Sequence, residues 1–430
     1  MTIKSTRRNF IRKSLAASVT MPVFNMALFN EVEAASKKLK GKSASDVASD
    51  ETFWYQVQKA YTVSPHFINL ENGYFSLVSD EVLEAQLKNV QMINEQPSMY
   101  MRTRQWGDRA NIKRQLADFG GVSPDEIALL RNTTEALNIV IQGIEMNAGD
   151  EAIVSDQDYG SMLEAFEMRA KRFGTVVKKI RLPLHPKSDE EVVAAFEAAI
   201  TPKTKVIHVT HMINLSGQIL PVRKIADMAH SKGIEVISDS AHAFGHIPYK
   251  IPDLDCDYMG TSLHKWLGCP LGLGMLYVKK EKIKDLWPLM GDVNLPEDDI
   301  RKLEHIGTHP CSADLAIANA IKFHNMIGSE RKAARLHYLK SYWLKKAQNI
   351  PNIIINTPAE AERSCGIGNV GVKGISPSKL ADILYDKYKV FTVAINHSAI
   401  KGVRVTPHLY TTTHELDIFV KALEEIGENM

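Results

Sequence analysis

From Glu126 to Asp239 the chain repeats one unit: a short apolar run, a turn, then a helical stretch. Apolar runs fall at 127–130, 152–155, 175–180, 205–210 and 234–238. Helical patterning follows from about 133, over 161–172, over 190–200 and over 223–231, and the fifth run ends in Asp239. Parallel strands need a crossover between them and helices supply it, so this alternation predicts an α/β fold with a mainly parallel sheet covered by helices. Such sheets bind ligands beyond the carboxyl ends of their strands. Residues that carry chemistry are therefore expected just after strands. After Lys279 the pattern turns helical to about Lys346 and breaks at Ile350-Pro351. The tail, with apolar runs at 366–372, 390–395 and 402–406 and helical patterning at 378–387 and from 416, reads as a smaller α+β domain. No internal repeat interrupts this plan.

Composition narrows the partner. The 430 residues are 44% hydrophobic and 24% charged, enough to bury a sizeable core. Lys and Arg total 52 against 50 Asp and Glu, a net charge of +2. That field is too weak to demand nucleic acid or anionic lipid, which leaves a small molecule. Arg102, Arg104 and Arg109 around Trp106 accordingly read as a pocket wall or a structural contact. Four cysteines, at 256, 269, 311 and 365, show no CxxC spacing, so neither a disulfide scaffold nor a structural zinc site is expected. His242 and His246 have the i,i+4 spacing of metal ligands but no carboxylate partner, and no metal site is expected.

The N-terminus carries Arg7-Arg8 with Phe10 close behind, a weakly apolar run over 14–29 and small residues at Ala34-Ala35. This is the layout of an export signal, and the adjacent arginines resemble a twin-arginine signal. The bland alternative is a basic amphipathic N-terminus on a cytoplasmic protein. On the export reading, residues 1–35 are the signal, a twin-arginine translocase is a transient partner, and the mature protein is periplasmic. Because that route carries folded proteins, a cofactor can be loaded before export. Residues 36–50, rich in Lys, Ser and Ala, read as a linker. No other apolar run approaches the roughly 20 residues that span a bilayer, so no membrane span is expected in the mature chain.

The most informative segment is Gly260-Thr261-Ser262-Leu263-His264-Lys265-Trp266, at the end of an apolar strand and before a glycine-rich turn. Lysine forms Schiff bases with aldehydes once burial or neighbours depress its pKa. Pyridoxal phosphate is the cofactor that uses such a lysine together with a carboxylate for its ring nitrogen. Asp239 closes the preceding strand and is the candidate carboxylate. An aspartate there also caps turns, but its pairing with Lys265 favours the chemical role. In Arg131-Asn132-Thr133-Thr134-Glu135 a strand passes into a helix on hydroxyl residues, where free backbone N–H groups and the helix dipole favour a phosphate. A simple helix cap gives the same pattern.

Together these segments resemble the class V aminotransferases of the fold type I pyridoxal phosphate enzymes, in the isopenicillin N epimerase-like branch, over about 69–413. The resemblance implies that Thr133, Thr134, Ser262 and His264 surround the phosphate, that Asn214 lies near the ring hydroxyl and His242 at the ring oxygen, that Asp239 pairs with the ring nitrogen, and that Lys265 holds the cofactor. It implies that Gly307-Thr308 reaches the phosphate of a second subunit, giving a homodimer with shared sites. By the same likeness Asn72-Gly73 forms a substrate-side loop and Arg404 clamps the substrate carboxylate. Two departures stand out. Gln157 occupies the place of a histidine that stacks on the ring in many relatives, with Tyr159 close by. No cysteine lies between Cys365 and Arg404, where desulfurases of this class need one, which disfavours that activity.

The resulting map is an N-terminal segment at 51–71, a large pyridoxal phosphate domain with a sheet of the seven-stranded type at 72–330, and a small domain at 331–430. The expected activity is removal of an α-proton from an amino acid or amino-acid-bearing peptide or secondary metabolite, leading to amino transfer or related tailoring. Epimerisation or lysis is the alternative within the class. A non-catalytic binding protein that keeps the fold is the alternative outside it. A dinucleotide oxidoreductase lacks its GxGxxG turn here.

Overall fold

The computed structural model describes residues 26–292 and 294–428. Seven strands form the large sheet: β1 (Ile127–Leu130), β2 (Glu151–Ser155), β3 (Val176–Ile180), β4 (Thr204–Thr210), β5 (Glu235–Asp239), β6 (Tyr258–Ser262) and β7 (Gly274–Val278). Their order across the sheet is β1-β7-β6-β5-β4-β2-β3. All neighbours pair in parallel except β7, which is antiparallel to both β6 and β1. The expected α/β class with a mainly parallel sheet is what the chain forms.

All of these strands but the edge strand β3 are largely buried on both faces, which is why they read as apolar runs; β3 carries Lys178 and Lys179 and is partly exposed. Successive side chains still take opposite sides: Ile153 and Val236 join one core, and Val154 and Ile237 the other. Helices cover each face. Val222–His230 buries Val222, Ile225, Ala226 and Ala229, the i, i+3, i+4, i+7 stripe of a surface helix. Each fully buried side chain of the larger type contributes about 1.5–3 kcal/mol. The helical patterning expected from Lys279 onward is realised only from Ser312; before it lie turns and two short 3-10 segments, Lys280–Lys282 and Ile300–Glu304. Two prolines, Pro288 and Pro296, and the aspartates at 292, 298 and 299 deny that stretch an uninterrupted helix.

The small domain is a four-stranded antiparallel sheet of β8 (Ile353–Ile355), β9 (Gly368–Val372), β10 (Val393–Asn396) and β11 (Lys401–Val405), in the order β10-β11-β9-β8. It packs on helices Ser329–Ala347, Pro377–Tyr388 and Thr413–Glu428 around Trp343 and Phe419. The segment ahead of the large domain joins this unit: Ile68 and Asn69 pair in parallel with Val390 and Phe391, and Leu70 enters its core. Composition gave no sign of that.

Residues 36–50 differ from the expected linker. Helices Met26–Lys38, Ala44–Ala48 and Glu51–Gln58 carry Phe29, Val32, Leu39, Val47 and Trp54 into one core with Phe323 and Leu336. Arg335 locks them, donating to the Ala48 carbonyl at 3.0 Å and to Glu51 at 2.6 Å. Small and polar residues set the average composition, while the few apolar ones sit where the body needs them. The arginine pair and apolar run of the expected signal lie mostly in 1–25, outside the described residues. Ala34-Ala35 falls inside the first described helix, with Val32 fully buried ahead of it. A chain beginning at Ser36 is expected to melt several degrees below one beginning at Met26, because Phe29 and Val32 together account for about 3 kcal/mol. Thermal unfolding of the two purified chains checks this, and equal melting temperatures would refute it.

Candidate active site

The parallel register sets the site. Thr210, Asp239 and Gly260 are direct neighbours across β4, β5 and β6. Residues far apart in sequence thus emerge side by side at the carboxyl edge of the sheet. A cavity of about 320 Å³ opens there. Of the residues expected in the site, Thr133, Thr134, Asn214, Asp239, His242, Ser262, His264 and Lys265 all line it.

Lys265 follows β6 on a turn closed by its backbone N–H to the Ser262 carbonyl. Burial, only partly offset by the Asp239 carboxylate and reinforced by the nearby Arg404 cation, brings the Lys265 amine down to about 8. Its Nζ lies 3.2 Å from His242 Nε2. The Trp266 indole N–H reaches His242 Nδ1 at 3.2 Å, so that nitrogen must accept. Burial, with Lys265 and Arg404 nearby, keeps the His242 ring neutral. A neutral ring that accepts at Nδ1 carries its proton on Nε2, which donates to the Lys265 amine once that amine has lost its proton. Trp266, itself fully buried and stacked on His246 at 3.7 Å, thereby fixes the tautomer beside the reactive lysine.

Asp239 accepts from the Ala241 N–H at 3.0 Å. Burial raises its pKa against the pull of His208 and Lys265. Beneath it, His208 is paired with Asp158 at 3.0 Å and Thr210 donates to the same carboxylate at 2.7 Å. This layer ties the floor of the site together.

Helix Thr133–Gly143 begins at the cavity, with the Asn132 side chain accepting from Glu135 N–H at 2.9 Å. Ser262 Oγ accepts from the Thr133 N–H at 3.0 Å and lies 2.7 Å from Thr133 Oγ1. His264 donates through Nδ1 to the Leu273 carbonyl at 3.0 Å, which leaves Nε2 an acceptor, and burial lowers its pKa to about 4. The Asn214 side-chain oxygen is buried at the cavity with no hydrogen-bond partner among the described residues. A nucleophilic amine, a buried carboxylate, a helix N-terminus with hydroxyls and an unmet polar atom around one cavity fit pyridoxal phosphate.

Family comparison agrees with this donor set. Residues 75–419 match the aminotransferase class-V family. The chain belongs to that family. Pyridoxal phosphate is its cofactor. The chain is 28% identical over 335 residues to the isopenicillin N epimerase of Amycolatopsis lactamdurans, covering 74% of this chain and 84% of that one. It is also 28% identical over 341 residues to a probable cysteine desulfurase of Synechocystis sp., covering 73% and 79%. Among solved structures, the apo cysteine desulfurase of Thermococcus onnurineus NA1 superposes with a TM-score of 0.75 at 22% identity, covering 87% of this chain and 98% of that one. That likeness shows the fold.

Several expected residues lie elsewhere. Gln157 is fully buried, donating to the Leu182 carbonyl at 3.0 Å, so it does not face the cavity. Tyr159 does. Asn72 and Gly73 pin their loop to the small domain: Asn72 Nδ2 donates to the Thr406 carbonyl at 2.8 Å and Gly73 N–H to Thr406 Oγ1 at 3.1 Å. They present Tyr74 and Phe75, which line the cavity. Arg404 is wholly buried and bound to Glu71 instead of facing the cavity. Gly307 and Thr308 sit on the loop after Ile300–Glu304 and do not line this chain's cavity. Arg109 is structural, held by Asp314 at 2.8 Å and the Leu129 carbonyl at 2.6 Å. His246 uses both ring nitrogens within the protein, on the His242 carbonyl and the Gly366 N–H.

Tyr74, Phe75, Met162, Thr210 and Leu271 are lining residues that sequence reasoning missed. Thr210 was recoverable as the last residue of an apolar run. Tyr74 and Phe75 follow the Asn72-Gly73 loop and Leu271 lies in the glycine-rich turn, but these apolar or aromatic side chains, like Met162, carry no charge or ligand chemistry that would single them out.

Because the Lys265 amine titrates near 8, its uncharged fraction grows as pH rises through that value. Uptake of pyridoxal phosphate by cofactor-stripped protein, followed by absorbance, is expected to speed up with a midpoint near pH 8 rather than near the ordinary lysine value of about 10.4. A rate independent of pH between about 6.5 and 9.5 would contradict that placement.

Proposed function

We propose that the protein is a pyridoxal phosphate enzyme that takes an amine borne by an amino acid, peptide or secondary metabolite and removes the proton from the adjacent carbon, leading to amino transfer or a related tailoring step. The observation that carries this reading is the placement of Lys265, Asp239 and the start of helix Thr133–Gly143 around one cavity. Pyridoxal phosphate supplies an aldehyde that condenses with amines and a ring that draws electrons from the substrate carbon.

The chain's own residues do the rest. Thr133, Thr134 and Ser262 offer hydroxyl and backbone donors at a helix N-terminus, which orient an anion. Asp239, buried, holds a proton at the ring nitrogen through a charge-assisted hydrogen bond. Lys265, whose amine loses its proton near pH 8 instead of at the ordinary lysine value, accepts the proton from carbon in its uncharged form, and a base titrating near 8 suits that work. His242 donates from Nε2 toward the same atoms. Walls formed by Met162, Tyr74 and Phe75 limit water.

Desulfurase chemistry needs a reactive thiolate. All four cysteines are free and buried, and burial pushes Cys365 up to about 12. A thiol of that kind is a poor nucleophile. Export through a twin-arginine signal to the periplasm remains part of the proposal and rests on Arg7-Arg8. A homodimer is supported by Trp287, Leu289 and Met290, exposed beside Arg131–Thr134 on the flank that carries Ile306 next to Gly307.

Lys265→Ala is expected to lose the visible band that borohydride reduction shifts in the wild type, and with it all turnover. Asp239→Asn should keep the band and lose activity by about 10²-fold or more, since only the charge at the ring nitrogen is removed. A fully active Lys265→Ala protein would end the reading, and a protein that stays colourless with added cofactor would favour a non-catalytic binding role. Lysine substitutions at Arg7 and Arg8 are expected to strand the protein in the cytoplasm, which fractionation and immunoblotting read directly.

A further inference from the structure

Arg404 stands near enough to Lys265 for its charge to be felt there, and that charge is already answered inside the chain. The side-on edge of its guanidinium is taken by Glu71, with Nε to Oε2 at 3.0 Å and Nη2 to Oε1 at 2.6 Å. Nη1 donates to the Asn214 carbonyl at 3.1 Å. One planar face is covered by the Tyr74 ring, whose centroid lies 4.0 Å from Cζ. Gly73 presses on the same group: a Cβ there would stand 3.0 Å from Cζ. The side chains of Arg404 and Glu71 are 0% and 5% exposed, and neither lines the cavity.

Glu71 is held as firmly as its partner, because Oε1 also accepts the Tyr74 N–H at 2.8 Å. Drawing a substrate carboxylate onto the Nε/Nη2 edge of Arg404 would require Glu71 to leave, stranding a buried carboxylate, and removing one partner of a buried pair is strongly unfavourable. The two residues stand 333 positions apart in the chain, and the joint of Asn72 and Gly73 with Thr406 holds them together.

We propose that Glu71 is a specificity-determining residue: it fills the fork of Arg404 as a built-in carboxylate, so the preferred substrate is an amine whose reacting carbon bears no free carboxylate, such as the amino-terminal residue of a peptide, whose carboxyl is masked as an amide. This rests on the pyridoxal phosphate reading and narrows its substrate class. Tyr74 and Phe75, carried on the next two residues of the same loop, then form the wall that meets the amide side of the substrate.

The test uses the full-length, cofactor-loaded protein and reads binding instead of turnover. L-alaninamide and L-alanine are titrated against the visible absorbance band, with half-saturation expressed as free amine so that their different basicities cancel. Wild-type protein is expected to half-saturate at about tenfold lower alaninamide than alanine, and millimolar acetate should leave the alaninamide curve unmoved. Glu71→Gln, which lets the fork open to a substrate anion, should shift that ratio about tenfold toward alanine and make acetate a competitor, while Glu71→Asp keeps the amide preference.

Tighter binding of alanine by the wild type, or competition by acetate, overturns the proposal and returns Arg404 to substrate recognition. Should Glu71→Gln fail to fold, the wild-type order and the acetate result decide alone. A protein that shows no cofactor band before any amine is added overturns the underlying enzyme reading, a result distinguishable from failure of the specificity argument.

Discussion

The constraint on which the site depends is the parallel alignment of β4, β5 and β6. Neighbouring strands in a sheet lie about 4.8 Å apart, so three chain segments separated by crossover helices deliver their last residues to one edge within a small molecule's reach. Asp239 arrives there because it ends β5, and Ser262 because it ends β6; Lys265 is then three residues along a turn. Nothing in local sequence could bring a carboxylate and a lysine amine together as reproducibly. The antiparallel β7 serves the same end from the other direction: its first residue, Gly274, approaches the backbone of Asn132 so closely that a Cβ would lie 2.6 Å from it. That contact seats the start of helix Thr133–Gly143 over the edge.

Placement alone would not make the lysine reactive; desolvation does. Inside the cavity each charge is judged against its neighbours, because low polarisability strengthens every interaction and penalises every unpaired ion. Burial pushes the Lys265 amine toward neutrality and the Asp239 carboxylate toward protonation, and each restrains the other's shift. His208 and Asp158 form a second pair below. For His208, burial opposes the charge but the Asp158 carboxylate prevails, so its pKa is raised and it supports the ionised form of Asp239. The protein thus keeps an acid ionisable and a base within reach of deprotonation a few side chains apart.

How much of this the sequence disclosed follows from the range of the forces involved. Strands buried on two faces need apolar side chains at nearly every position, so β1, β2, β4 and β5 stand out as apolar runs; with the half-exposed edge strand β3, all five were placed within a residue. Eight cofactor-side residues were legible because each sits directly after a strand or on the segment around Lys265. Gln157 was misplaced by one fold of a turn: Ser155 Oγ accepts its N–H at 2.9 Å, turning its amide inward to Leu182 and leaving Tyr159 at the cavity. The Glu71–Arg404 pair was invisible because its partners stand more than three hundred positions apart and no periodicity links them. The packed helices of 26–58 were hidden because average composition weighs every residue alike, whereas packing weighs only those that face inward.

The same pair that fills the substrate-side fork also joins the two ends of the chain. Segment 69–74 is fastened to the strand and loop that follow Lys401 by Asn72 to Thr406, by the Asn69 side chain to Tyr410 at 2.9 Å and by Glu71 to Arg404. Ile68 and Asn69 extend the attachment through the pairing with Val390 and Phe391. The wall made by Tyr74 and Phe75 is therefore built on the joint between the N-terminal segment and the small domain, not on the large sheet that holds Lys265. Two parts of the chain thus meet at the cavity, the large sheet presenting the Lys265 amine and the N-terminal segment presenting Tyr74 and Phe75. On the proposed specificity, a change in the N-terminal segment would alter which amine is accepted while leaving the sheet edge that holds Lys265 intact, since a fold and the site grafted on it can vary separately.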